Sequence, residues 1–213
     1  MKFLFKYLSF ILLSLIIHTS SWGDDHKEIE FFKQYLQNIN SVAIDFAQID
    51  SEDKKASGKL LISKPFKFRC NYYPPFPILI VGNKNYISFY DYDMAQLSRI
   101  KSSENIFNFL LLEREDLIKH FKIELIASNN DWFKLKLLHL DTDKISEITF
   151  NKNTKQLEQL EIIEDENIIT INFGKIEKVS KFAEELFIIK NADTYGPPER
   201  LSKKELEKKY SKT

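Results

Sequence analysis

Apolar positions along this chain change period once near the start. Between Asp24 and Asn38 the residues Ile29, Phe32, Tyr35 and Leu36, with Ile39 just beyond, recur at helical spacing, and Asp24 and Asp25 favour the positive end of a helix dipole. The spacing predicts an N-terminal amphipathic helix there. From SVAIDFAQID onward the period is two: Val42, Ile44 and Phe46 alternate with smaller or polar residues, and the charged stretch SEDKKASG follows as a turn. Further strands are expected over 59–63, 66–73, 78–81, 86–92 and 96–100, then over 123–126, 132–138, 147–151, 157–161 and 168–173, with 187–189 as a candidate closing strand. Glycine is scarce, 5 residues in all, so the tight turns fall to Asn and Asp, which tolerate left-handed backbone: 83–85, 129–131 and 151–153 each sit between two strand-like runs.

The meander is interrupted by SSENIFNFLLLEREDLIKHF, where Ser102 or Ser103 caps a helix whose apolar residues Ile106, Phe107, Phe109, Leu110, Leu111 and Leu112 are too broad for one stripe. A helix apolar on more than one side needs cover on more than one side. About ten antiparallel strands with two helices predict a mainly β domain, a strongly curved sheet or incomplete antiparallel barrel with helices over its mouth. Periodicity leaves two contents for the interior of such a sheet, packed side chains or a cavity. The strand KPFKFRCNYYPP puts Phe66, Phe68, Cys70 and Tyr72 on one side and Lys67, Arg69, Asn71 and Tyr73 on the other.

The first residues read differently from the rest. MKFLFKYLSFILLSLIIHTSSWG carries Lys2 and Lys6, an apolar run too short to span a bilayer as a folded helix, and then small residues, the pattern of a secretory signal peptide over 1–23 with a cut before Asp24 or after Ser21. No cysteine follows the run to accept a lipid, so the expected product is a soluble exported monomer with one domain over 24–200 and a charged, frayed tail over 201–213.

Charge and chemistry-bearing residues narrow the classes. The chain has 31 basic and 31 acidic residues, and loss of Lys2 and Lys6 leaves an acidic excess of two, which is no nucleic-acid footprint. Cys70, the lone cysteine, reads as a small buried hydrophobe. His26, His120 and His139 show no metal-like spacing, Asp91 with Asp93 and Asp141 with Asp143 stand where turns use Asp, and no nucleophile elbow or phosphate loop occurs. No catalytic residue, metal or cofactor is expected; a hidden hydrolase site is the rival class.

Three stretches carry a resemblance. SVAIDFAQ has a phenylalanine strand ending in Gln, here Phe46 and Gln48; GKLLISKPFKFRCNYYPP has a glycine, a hydrophobic strand, a basic residue and proline, then Phe and Arg before an aromatic strand; LIVGNKNYISFYDYDMAQLS has a turn leading into an aromatic strand that ends in Tyr90 and Asp91. In order and spacing the chain resembles the LolA family, the periplasmic outer-membrane lipoprotein carriers of Gram-negative bacteria. The resemblance implies an incomplete barrel whose aromatic concave side holds acyl chains beneath a helical lid. It implies a cavity lined by Phe46, Leu60, Ile62, Phe66, Phe68, Tyr72 and Tyr90, and a lid helix bearing Ile106, Phe109 and Leu110. It also implies, as partners, acylated lipoproteins, an inner-membrane ABC-type release complex and an outer-membrane receptor. Where the family commonly has a lid-holding arginine before the proline, this chain has Lys64. Alternation puts Lys64 on the side of Leu60 and Ile62, so it points inward if that side does, and is otherwise an exposed loop lysine. An outer-membrane receptor of similar fold, or another periplasmic lipid-binding protein, is the alternative function.

Overall fold

A computed structural model describes residues 22–102 and 109–210. The expected signal peptide, up to residue 21, and Ile106 lie outside the described residues. Helix α1 (Trp22–Asn38) is followed by β1 (Ser41–Ile49), β2 (Lys55–Ser63), β3 (Lys67–Tyr72), β4 (Ile78–Gly82), β5 (Tyr86–Asp91) and β6 (Gln96–Lys101). After helix α2 (Arg114–His120) come β7 (Phe121–Ser128), β8 (Trp132–His139), β9 (Ile145–Asn151), β10 (Gln156–Glu164) and β11 (Asn167–Lys178). The eleven strands form one antiparallel sheet in the order β6-β5-β4-β3-β2-β1-β11-β10-β9-β8-β7. Its two unpaired edges, β6 and β7, are consecutive in the chain, so the connection from residue 102 to 120 runs from one edge to the other.

The two halves of this curled sheet are covered differently. On β7 to β10 the strands alternate cleanly, as in WFKLKLLH, with Phe133, Leu135 and Leu137 buried on the concave side. Their outer side is polar, where Lys134 pairs with Glu147 (2.9 Å) and Glu161. Over this half α1 lays Phe31, Phe32 and Tyr35 on the stacked rings of Phe133 and Phe150, whose centroids are 5.2 Å apart. On β2 to β5 both faces are covered, which is why LLI at 60–62 and ILIV at 78–81 run apolar without a break.

The outer cover of that half is the C-terminal segment. The residues expected to close the sheet at 187–189 instead begin at the last residue of a 3-10 turn (Glu184–Phe187), and the segment continues through the short helix α3 (Ala192–Tyr195) to helix α4 (Lys203–Tyr210). The expected frayed tail is therefore a packed helix: Leu206 and Tyr210 are buried in a second core with Phe182, Leu186 and Phe187 over Leu61, Leu79, Val81 and Tyr90. Only two apolar residues in a charged octapeptide mark its buried side, too few to show as a stripe. At its centre Lys59, 1% exposed, pairs with Asp45 (3.4 Å) and Glu207 (3.1 Å) and donates to Tyr210 Oη (2.9 Å). A buried cation stripped of one partner is costly.

Leu206→Ala should therefore lower stability by about 2–5 kcal/mol, as large-to-small changes in cores do, measured by urea unfolding. A change of only a few tenths would return residues 203–210 to the frayed tail.

Candidate functional site

Between β1 to β5 and the cross-edge connection the concave face is not filled. A cavity of about 210 Å³ remains there, and among its lining residues are Phe46, Leu60, Ile62, Phe68 and Tyr72, with Leu110 and Leu111 over it. Two glycines flatten its wall. Gly58 stands opposite Phe46 and Gly82 opposite Phe68 in the ladder, and a Cβ at Gly82 would lie 1.9 Å from the Phe68 ring, one at Gly58 2.7 Å from the Phe46 ring. Both aromatic rings thus lie along the sheet over a position with no side chain. Phe46 meets Tyr72 edge-on at 5.3 Å, and the Tyr72 hydroxyl donates to Gln48 Oε1 at 2.9 Å, which satisfies its polar tip; Lys144, paired with Glu164 at 2.8 Å, also stands in the lining. Burial pushes the Tyr72 phenol and the neighbouring Cys70 thiol well above their ordinary pKa values, so both are neutral.

Several expected residues lie elsewhere. Tyr90 is on the opposite face, in the outer core against Tyr92, and Phe89 takes the place at the cavity. The aromatic run ISFYD offered two rings one residue apart, and only pairing parity, Phe89 opposite Ile80 and Tyr90 opposite Leu79, decides which points inward. Phe66 is not in the strand at all. It closes a turn with left-handed backbone (φ 67°), so the alternation of β3 begins at Lys67 and Phe66 packs beside the cavity under Lys84. The expected lid helix is, over its described part, a tight 3-10 turn at Phe109 and Leu110, both buried, with the Phe109 ring between Phe32 of α1 and Phe121 of β7. Arg69, which sequence leaves as possible sheet surface, is buried on the outer face, where its guanidinium donates to Asn71 Oδ1 (2.6 Å) and the Leu186 carbonyl (3.1 Å). Cavity residues that alternation did not single out, Ile80, Ile87, Phe89 and Ile100, come from β4 to β6, where pairing register alone assigns the face.

Lys64 points inward. Its ammonium donates to the carbonyl of Leu36 (2.7 Å), in the last turn of α1, and to that of Leu112 (2.9 Å), at the end of the connection roofing the cavity. One point charge thereby joins the helix to the roof, sharing the Leu36 carbonyl with the Ile39 N–H, which donates to it at 3.3 Å. Burial, only partly offset by the carboxylate of Glu113, pulls the Lys64 pKa down to about 8.

Against this geometry, the family model described as outer membrane lipoprotein carrier protein LolA matches residues 37–190. The chain belongs to the LolA family. It is also similar to an uncharacterized protein of Rickettsia prowazekii (strain Madrid E), 53% identical over 98% of this chain and 97% of that one. An outer-membrane lipoprotein carrier protein of Nitrosospira multiformis is 28% identical over 85% of this chain and 89% of its own. Among solved structures, a LolA superfamily protein of Nitrosomonas europaea aligns with 78% of this chain and 97% of its own, at 10% identity and a TM-score of 0.48.

The Lys64 ammonium should titrate near 8, read from NMR of ¹³C-methylated lysines. Its unfolded value is about 10.4, so between the two the unfolded chain binds more protons and the Lys64 contribution to stability rises with pH across that window. Lys64→Met should abolish that component of the slope. An ordinary lysine titration at this site would show that the ammonium is solvated and not buried under the roof.

Proposed function

We propose that this protein is a periplasmic carrier that takes the acyl chains of lipoproteins into the cavity beneath residues 109–112 and ferries them from the inner to the outer membrane. The observation that carries the reading is the unfilled aromatic and aliphatic cavity on the half of the sheet that α1 leaves uncovered. Removing acyl chains from water supplies the drive: about 0.8 kcal/mol per buried CH₂, on the order of 12 kcal/mol for one chain of about 16 carbons. No bond needs to be made or broken.

At about 210 Å³ the cavity is smaller than the roughly 300–1,000 Å³ of ordinary ligand sites. The described state is thus the closed one, and loading requires the roof to lift. Lys64 is the tie that must break, and its two hydrogen bonds set the balance between closed and open forms. Cargo comes from an inner-membrane ABC-type release complex and is passed to the outer membrane through a receptor there. Cleavage of the leader before Asp24 delivers the domain to the periplasm. No described helix is long and apolar enough to cross a membrane.

Carrier and packed-core readings differ in how truncation acts. Gly82→Ala should push the Phe68 ring off β4 and into the cavity, lowering the affinity for a fluorescent acyl probe at least tenfold while the fold persists. Phe133→Ala, in the half that α1 fills, should cost roughly 3–5 kcal/mol of stability and leave the probe affinity of the folded fraction unchanged. Failure of the wild-type protein to bind the probe, with no acyl species in mass spectra of its periplasmic extract, would falsify the carrier reading. Lys64→Leu should load cargo and release it poorly in a reconstituted transfer assay; transfer at the normal rate would remove Lys64 from the gating role.

A further inference from the structure

Another pocket stands on the outer face, behind the acyl cavity. It holds about 450 Å³ between β3 and the C-terminal segment, within the roughly 300–1,000 Å³ of ordinary ligand sites. Leu186, Ile188, Tyr195, Pro197, Pro198 and Leu201 give it apolar walls, at which Ile188 and Tyr195 stay exposed. Phe68 and Cys70 of β3 line the acyl cavity and Arg69, between them, lines this pocket, so a single strand separates the two spaces.

Arg69 sets the chemistry of this space. It is 5% exposed, yet among the described residues it has no carboxylate within ion-pairing distance. Its Nε and Nη1 are held by Asn71 Oδ1 and the Leu186 carbonyl, while Nη2 makes no hydrogen bond among the described residues and is not sealed from open space. Buried charges are ordinarily paired, so a guanidinium with open donors beside a ligand-sized pocket calls for an anionic acceptor. Glu199, the carboxylate whose field reaches Arg69, is bonded to Lys209 instead. Glu185 and Lys190 complete the charged lining, with the Lys190 ammonium over the Tyr195 ring at 5.3 Å. Arg69, Lys190 and Lys209 against Glu185 and Glu199 leave one positive charge in excess. Just outside, Lys67 and Glu184 cancel as a pair at 2.5 Å, and Arg200 lies over the Tyr92 ring at 5.4 Å. A monoanion matches that excess better than a dianion, which the two carboxylates would repel.

We infer that this outer pocket, juxtaposing the Arg69 guanidinium with the apolar walls of Leu186, Ile188 and Leu201, binds a monocarboxylate carried on a small apolar body. The N–H groups of Nη2 donate to the carboxylate, a charge-assisted contact in a largely buried setting. The body displaces water from Ile188, Tyr195 and the two prolines, whose rigid backbone costs little further ordering. Two sources offer this chemistry: a free apolar acid, and the C-terminal carboxylate of a peptide that ends in an aliphatic residue. The assignment is independent of the carrier reading, because the sheet lies between this pocket and the acyl cavity.

The test is an NMR titration of the full exported chain, read at the Arg69 Nε–H signal and at the backbone amides of Gly196 and Leu201. The probes are N-acetylleucine, its neutral amide, 3-phenylpropanoate, the tripeptide acetyl-Ala-Ala-Leu and inorganic phosphate. At least one of the three carboxylates should bind about tenfold or more tighter than the amide and than phosphate, the scale of a charge-assisted contact. The tightest binding by the tripeptide assigns a peptide terminus, and by 3-phenylpropanoate a free acid. Ile188→Asp, at a position 58% exposed where folding is not at issue, should weaken carboxylate binding by about fivefold or more. Glu185→Gln should strengthen it by about two- to fivefold, the scale of one exposed charge. Arg69→Gln should abolish it, with thermal unfolding read alongside. Equal binding of acid and amide, phosphate binding as tightly as the acids, no binding of any acid, or no response to Ile188→Asp and Glu185→Gln overturns the assignment, whatever Arg69→Gln does to folding. Each of these results leaves binding of the acyl probe, and with it the carrier reading, untouched.

Discussion

One helix cannot cover an eleven-stranded sheet. Strands spaced about 4.8 Å apart make the concave surface some 50 Å around, while 17 helical residues reach about 25 Å. The ring contacts of Phe31, Phe32 and Tyr35 place the aromatic side of α1 on the β8-β9 half, which leaves the apolar wall around Phe46, Phe68 and Phe89 to other cover. An apolar face left to water is unstable, and in this chain the cross-edge connection covers it with Leu110 and Leu111. Because that connection also joins the only two unpaired edges of the sheet, the cover and the seam are the same piece of chain. The cavity and its roof both follow from that shortfall in coverage.

Lys64 gives the roof a discrete fastening. A hydrophobic contact weakens gradually as surfaces part, whereas a buried ammonium on two carbonyls is either paired or free to reach water. Desolvation opposes the paired state, as the lowered pKa records, and two charge-assisted hydrogen bonds favour it. A guanidinium would satisfy the same carbonyls with a rigid fork; the lysine does so with a flexible stem and a charge that can be given up at moderately alkaline pH.

The meander, the first helix and the shared side of Leu60, Ile62 and Lys64 were legible in the chain because each rests on a local period, while which way that side faces was not. Alternation failed where the period was interrupted or ambiguous. The left-handed turn at Phe66 kept that residue out of β3, so a count begun there put the strand residues Phe68, Cys70 and Tyr72 on the right side and one aromatic in the wrong element. ISFYD had an aromatic on each face, and the choice of Tyr90 over Phe89 depended on partner strands that sequence order does not align. Helix α4 presented two buried residues in a strongly charged segment, and its partner, Lys59, is 144 positions before Lys203 where the helix begins, a contact no local pattern encodes. The apolar runs at 60–62 and 78–81 did carry a signal for the outer core, since a strand wet on one side would break them with polar residues.

That outer core bears on how the cavity survives being empty. A sheet with a void on one side loses contacts there, and the loss would ordinarily let the strands collapse inward. Here the strands that wall the cavity are the ones held from behind, by Phe182, Leu186, Phe187, Leu206 and Tyr210, with the Lys59 network binding β1, β2 and α4 together. The half without an outer cover is instead the half that α1 fills. Each stretch of sheet is therefore packed against protein on at least one face, and where the inner face is given over to a void the outer one is closed.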